Sequence, residues 1–304
     1  MTAQASALRL GLVAGVLAYG LWGLFPLYLK QLEGATALEI VAHRILWSLP
    51  FGAVVLTISR QWRETLAALR TFRIVGYLAI AAALIAVNWL VYVWAVANDR
   101  VLEASLGYYI NPLIFIAAGV VVLKERLSGL QIAAVLLAAF GVLVLTVGAG
   151  VFPWPSFFLA VSFTSYGFVK KMTPVSAMPG LFVEVLVLAP AAFAYLAWLS
   201  YEGALAFGDS RRLDVLLALA GPVTVVPLVL FALAARRLQF TTLGFLQYIG
   251  PTGQFLLGLY YGEAFTAAHA ICFGAIWTAL ALISIDAVKR NPLTRTFSAT
   301  PNRS

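Results

Sequence analysis

Apolar residues run along this chain in long blocks, and polar residues come in short bursts between them. The blocks cover about 10–29, 37–58, 74–97, 103–123, 129–147, 154–170, 179–199, 214–235, 241–261 and 266–288. A helix of roughly 20 residues crosses the hydrocarbon of a bilayer, so the pattern predicts ten transmembrane helices. The sixth block is the shortest and most polar, reads "SFTSYG" at its centre, and starts after Pro153 and Pro155. Arg60 to Arg73 reads as a basic amphipathic connector lying on the inner leaflet. From Lys289 the tail is polar and expected to be disordered, with Pro292 marking the end of the last helix.

Composition and charge turn this pattern into a class and an orientation. Of 304 residues, 62% are hydrophobic and 11% charged, and the mean hydropathy is +0.95. A soluble domain carries about 25% charged residues, so the chain reads as an all-α integral membrane protein. The net charge of +8 then belongs to loops held on the cytoplasmic side, not to a nucleic-acid surface. With the N-terminus inside, fifteen Lys and Arg fall in cytoplasmic segments. Four fall outside (Lys30, Arg100, Arg211 and Arg212), and Arg44 lies within a span. That asymmetry predicts ten spans with both termini cytoplasmic. The first block lacks a small-residue cleavage site and reads as a retained helix. Cys272 is the only cysteine, which excludes an internal disulfide and reads as a small apolar helix residue.

The two halves repeat. "SLGYYINP" at 105–112 matches "TLGFLQYIGP" at 242–251, and each continues to a glutamate, Glu125 and Glu263. The proline-to-glutamate distances are 13 and 12 residues. The fourth span therefore matches the ninth, with five spans per half. An odd number forces opposite orientations, which predicts two inverted five-helix repeats, 1–147 and 148–288, followed by the tail 289–304.

These residues resemble the drug/metabolite transporter superfamily, EamA type. The matching positions are Leu106, Gly107, Pro112 and Glu125, then Leu243, Gly244, Pro251 and Glu263, with Trp22, Gly23 and Lys30 fitting the opening motif. "HRILWS", "NWLVYVWAVAN", "LEASLGYYINPL" and "TLGFLQYIGPT" are similar to the RarD branch of that superfamily. The second Gly-Glu motif departs from the pattern, with Ala264 where the first has Arg126. The resemblance covers about residues 8–288 and implies a ten-helix transporter of the inner or plasma membrane. It speaks to the fold more than to the solute.

Polar residues inside the spans are the candidates for function. Arg44 sits about seven residues, or roughly 10 Å, inside the outer end of span two. Placing it there costs about 2.5–3.5 kcal/mol on insertion scales. It either binds a carboxylate or phosphate in a central cavity, or ties helices together through carbonyls or a neighbouring acid. His43 faces about 100° away and lies one turn from Glu39; it is a proton relay or a hydrogen-bonded interfacial group. Glu184, near the inner end of span seven, is a candidate proton carrier or an acid reaching the cytoplasmic interface. Its depth is too different from that of Arg44 for the two to pair directly.

Asn88, Asn111 and Gln247 either join helices or bond solute. Asn111 and Gln247 flank Pro112 and Pro251 beside Tyr109 and Tyr248, where kinked helices at matching positions point to a binding region. Trp22, Trp89, Trp94 and Tyr166 either line an aromatic wall or sit at the interface. Glu125 and Glu263, at span ends, read as structural acids that bond a nearby backbone or loop group.

No GxSxG, HExxH or phosphate-binding Gly-rich Lys motif occurs, so an enzyme is not expected. With two histidines a metal cluster is not expected either, and no cofactor is implied. The leading expectation is a secondary transporter, proton- or exchange-coupled, for a small organic metabolite or drug-like solute. A non-transporting accessory or lipid-binding protein and a lipid flippase are the alternatives. The partners expected are the solute and the bilayer, with the oligomeric state open and a monomer admissible.

Overall fold

A computed structural model describes residues 3–123, 127–149, 152–235, 237–238 and 246–290, and regular structure among them is entirely helical. Glu125 with its neighbours Lys124 and Arg126, the motif residues Leu243 and Gly244, and the tail beyond 290 lie outside the described residues. The elements are α1 (Ala3–Gly23), α2 (Phe25–Leu29), α3 (Ala37–Ser59), α4 (Trp62–Leu69), α5 (Phe72–Ala97) and α6 (Val101–Leu123). They continue as α7 (Gly129–Ala149), α8 (Trp154–Met172), α9 (Ala177–Tyr201), α10 (Arg211–Ala235), α11 (Ile249–Tyr260) and α12 (Ala267–Arg290). Six of these, α3, α5, α7, α9, α10 and α12, are long and apolar enough to cross a membrane. The chain is a multi-pass membrane protein.

Eight predicted spans coincide with helices to within about three residues at each end. The connector at 60–73 contains α4, which buries Thr65 and Ala68 and exposes Arg63 and Leu66. The ninth span begins later among the described residues, at Ile249. The first span, expected to run unbroken over 10–29, divides at Leu24. Pro26 is the cause: it has no N–H to give the Trp22 carbonyl one turn back, and its ring crowds that turn. The freed carbonyl accepts instead from Gln254 Nε2 of α11 at 3.1 Å.

Loop contacts sort the helix ends into two groups. At one end Lys30 pairs with Asp99, Arg212 bonds Gln31 at 2.6 Å, and Glu39 accepts from the Ala206 and Phe207 amides at 2.9 and 3.2 Å. Glu263 joins the same group by accepting from Val101 and Leu102 at the start of α6. At the other end Glu64 of α4 accepts from the Ser176 amide just before α9, at 2.6 Å. These are called the Lys30 end and the α4 end below. Of the lysines and arginines expected outside, Lys30 and Arg212 make their contacts at the Lys30 end. Helix α3 starts there, behind the Thr36 cap that accepts from Glu39 N, and descends 23 residues to a left-handed Arg60. That is about 34 Å of helix, enough to cross the hydrocarbon. Helix α9 runs the opposite way, from Ser176 at the α4 end to the loop that holds Ala206 at the Lys30 end.

Packing joins helices that are distant in sequence. Helix α3 lies against α9 and α10, α5 against α8 and α9, α1 against α10 and α11, and α6 against α8 and α11. Helices α7 and α12 pack chiefly on each other. Glycines set the closest approaches. A Cβ on Gly221 of α10 would lie 2.2 Å from the Trp47 carbonyl oxygen of α3. Between α7 and α12, a Cβ on Gly141 would meet Ala275 at 2.9 Å, and one on Gly148 would meet Ala268 at 2.7 Å. In a bilayer such small-residue contacts provide the van der Waals packing that the hydrophobic effect does not supply between helices. Large apolar side chains such as Leu136, Leu143, Val147 and Phe193 remain exposed on the outer surface, where lipid replaces water.

The Gly221 contact gives a direct test. Gly221→Ala places a methyl against backbone that cannot turn aside, and about 1–3 kcal/mol of destabilisation is expected. Gly76→Ala on α5, where nothing lies within 4 Å, should leave stability unchanged or slightly raised. Thermal unfolding of the two variants in detergent reads the difference.

Candidate functional site

Arg44 is the eighth residue of α3 and is 5% exposed. Its guanidinium lies over the Phe25 ring at 4.8 Å and the Trp89 ring at 4.2 Å. Nε donates to Thr224 Oγ1 of α10 at 3.2 Å. Thr224 is delivered by the α3–α10 contact, three residues after Gly221 and between Pro222 and Pro227. Phe25 stacks on Tyr28 and Tyr92 at 5.8 Å each, and Tyr92 meets Tyr108 edge-on at 5.7 Å. The guanidinium thus sits in a cage of rings from α2, α5 and α6. No carboxylate pairs with it among the described residues, and its Nη1 has no hydrogen-bond partner there. The Tyr92 hydroxyl is likewise buried without a partner. The cage therefore holds a cation with an unpartnered donor between flat aromatic walls, chemistry that attracts a carboxylate or phosphate oxygen.

A cavity of about 260 Å³ opens at the Lys30 end, lined by residues including Gln31, Ser210, Arg212 and Leu216. The Leu216 carbonyl accepts from Tyr28 at 2.7 Å. Leu216 thus lines the cavity while Tyr28 stacks in the cage, and this bond joins the two places.

The other predicted residues fall into separate places. His43 stacks on Phe207 at 5.1 Å, accepts from Trp47 Nε1 at 3.2 Å, and keeps a loose 3.9 Å contact with Glu39. It packs around the Lys30-end loop, away from the Arg44 cage. Trp22 meets Tyr19 and Phe231 between α1 and α10. Asn88 joins α5 to α8, donating to Leu159 O at 3.1 Å and Ser162 Oγ at 2.8 Å. Tyr109 bonds Thr252 at 2.6 Å and stacks on Tyr248 at 6.4 Å, so these two join α6 to α11. Asn111 is buried with Oδ1 unpartnered, and Gln247 is half-buried just ahead of α11. Trp94 packs on Trp154 and Arg100, away from the cage.

Glu184 is fully buried and does not meet Arg44. It pairs with Lys170 Nζ at 2.5 Å and accepts from the Tyr166 hydroxyl at 3.2 Å. Lys170, the last residue of the expected sixth span, lies in the last turns of α8, which run to Met172. Glu263 fulfils the structural expectation: its carboxylate accepts from the Val101 and Leu102 amides at 2.6 and 2.8 Å and caps α6. Burial raises its carboxyl above the usual carboxylate range, while the two amides and Lys30 act the other way.

Several cage residues escaped the sequence reading: Phe25, Tyr28, Tyr92, Tyr108 and Thr224. Two signals were available. Tyr92 lies one turn from Asn88 and three residues from Trp89, and Thr224 stands alone between two helix prolines.

Lys170→Met would leave the buried Glu184 carboxylate without its countercharge and held only by the Tyr166 hydroxyl, a loss of about 3 kcal/mol. Adding Glu184→Gln should recover most of that stability. Thermal unfolding of the single and double variants measures it.

Comparison with known proteins fits this geometry. The EamA-like transporter family matches residues 9–147. An uncharacterized transporter of Vibrio cholerae serotype O1 is 43% identical, over 95% of this chain and 96% of its own. A protein named RarD of Escherichia coli K12 is 42% identical, over 94% of this chain and 97% of its own. An uncharacterized transporter, YojE, of Bacillus subtilis is also 42% identical, over 94% and 97%. One crystal structure shares the fold with a TM-score of 0.56 at 21% identity, covering 94% of this chain and 99% of that one. With its buried polar sites held between apolar membrane helices, the chain belongs to the EamA-like transporter family, alongside the proteins named RarD.

Proposed function

We propose that this protein is a secondary transporter that moves a small organic anion across the inner or plasma membrane by alternating access, with Arg44 as the anion site. One observation carries the reading: a buried guanidinium with no carboxylate partner among the described residues, caged by rings and holding an unpartnered Nη1. An arginine this deep is costly, and a bound anion would complete the bonding that the chain leaves open. A solid bundle with every Arg44 bond completed by the chain would favour the accessory-protein alternative instead, and Nη1 is left open. Transport needs no covalent step, and none of the residues around Arg44 is arranged for one.

Alternating access requires two halves that exchange roles, here 1–147 and 148–288. The helix contacts support this reading because they come in exchanged pairs. Helix α1 on α10 corresponds to α8 on α5, and α1 on α11 to α8 on α6. Helix α3 on α10 corresponds to α9 on α5, while α3 on α9, α6 on α11 and α7 on α12 map onto themselves. Helices α3 and α9 also share a register, with Arg44 and Glu184 each eighth in its helix and each six residues before a proline, Pro50 or Pro190. We take this as an inverted repeat of ten crossings with both termini cytoplasmic, which makes the Lys30 end extracellular. In this reading the Tyr28–Leu216 bond is the outer closure, and Glu184 is the group that couples transport to a proton or an exchanged solute. The Tyr109, Asn111, Gln247 and Tyr248 cluster lies where the halves meet at α6 and α11, as the pivot of the exchange. His43, Trp22 and Asn88 hold the surrounding helices in place.

Purified protein in liposomes, tested for uptake and efflux of anionic and neutral metabolites with and without a proton gradient, decides the matter. Wild-type protein is expected to move an anionic solute. Arg44→Gln should reduce that flux at least about 100-fold, the loss of one charge-assisted pair at about 3 kcal/mol. Arg44→Lys, which keeps the charge without the planar fork, should fall between the two. An intact anion flux in folded Arg44→Gln protein would remove Arg44 from the site.

A further inference from the structure

The Lys170–Glu184 pair is built more like an occupied site than like a simple brace. Lys170 reaches Glu184 through a notch in α9: a Cβ on Gly180, one turn before Glu184, would lie 2.5 Å from the Lys170 Nζ. A side chain at 180 would force the Lys170 end to shift. The lysine side chain keeps 20% exposure at the end of α8, whereas the glutamate side chain behind it has none. The second carboxylate oxygen is held by the Tyr166 hydroxyl. The cation is therefore the more accessible member of the pair, near the α4 end.

This pair occupies the same place in its half as the Arg44 cage does in the other. Arg44 and Glu184 share a register on antiparallel helices, each about 10 Å from the end where its helix starts. Each of these places holds one cation. At the Lys30 end the cation has no carboxylate, and at the α4 end it has one supplied by the chain.

Aromatic rings connect the two places without a gap. From Phe25 against Arg44 the path passes to Tyr92 at 5.8 Å, to Tyr108 at 5.7 Å, to Phe163 at 6.0 Å and to Tyr166 at 6.1 Å. Tyr166 ends it on Glu184.

We propose that Lys170 is a second anion station, and that Glu184 is its resident occupant, a tethered carboxylate that the carboxylate of an arriving solute displaces. The proposal rests on the reading of Arg44 as the solute's anion site and adds the station at the opposite end of the same path. A resident carboxylate has a physical purpose, because an empty buried ammonium is costly and Glu184 removes that cost between solutes. When the solute takes Lys170, Tyr166 still donates to Glu184, so the displaced group is not left without a partner. The ring path favours a solute whose carboxylate is joined to a flat apolar body.

Competition for one ammonium makes a counter-intuitive prediction: removing a buried acid improves binding of an acid. Radiolabelled benzoate, with benzamide as its neutral counterpart, is the probe, bound to the full chain in lipid nanodiscs. Glu184→Gln is expected to tighten benzoate binding at least about tenfold and to leave benzamide unchanged. Glu184→Asp, one methylene shorter, should give a smaller gain in the same direction. The gain should persist when Arg44→Gln is added and vanish in Lys170→Gln/Glu184→Gln. The proposal is overturned if folded Glu184→Gln and Glu184→Asp proteins bind benzoate no more tightly than wild type. It is equally overturned if the gain survives the loss of Lys170 or depends on Arg44. A gain that persists while Arg44→Gln transports normally would instead overturn the Arg44 site and keep the Lys170 station.

Discussion

Inside a bilayer no water is available to complete a polar group, so each buried donor and acceptor depends on a partner from the chain itself. The architecture follows from where those partners come from. Glu263, after α11, supplies the acceptor for the first amides of α6. Glu39 on α3 serves the loop between α9 and α10, and Glu64 on α4 serves the start of α9. Gln254 on α11 satisfies the carbonyl that Pro26 leaves open at the end of α1. In every one of these cases donor and acceptor lie in opposite halves of the sequence. These four ties bind the two halves of the sequence together even though lipid gives them little hydrophobic reason to associate.

The same rule explains why two charged places can exist at depth. The Lys170–Glu184 pair is complete within the chain and is stable as it stands. Arg44 is different: stacking on Phe25 and Trp89 and one bond to Thr224 lower the cost of its burial, but the fork is not filled. Rings suit this task because their faces attract a guanidinium without competing for its N–H groups.

What could be read from the sequence, and what could not, divides along physical lines. Long apolar blocks set most helix boundaries because lipid selects for length and hydropathy alone, and Arg44 stood out because charge inside such a block is rare. The break at Leu24 was harder to see. Proline tolerates a helix's first turn as readily as it interrupts one, and the apolar run continues through it. The Lys170–Glu184 pair was hidden for a related reason: a lysine at a span end has a long stem that can reach either water or the interior. Its place against Gly180 and Glu184 of α9 is a property of two helices together. The Arg44 cage was likewise hidden because its members come from α2, α3, α5, α6 and α10. Aromatic residues are common in membrane helices for other reasons, so nothing local marks those five rings as belonging together.

Helices α7 and α12 stand apart from these polar arrangements. Their glycine-lined seam, at Gly141 and Gly148, brings the last helix of one half against the last helix of the other, and both turn broad apolar faces outward. A seam this tight leaves no room for a larger side chain at either glycine, so the two helices are held to one another more closely than either is to the rest of the bundle, with lipid packed along their outer faces.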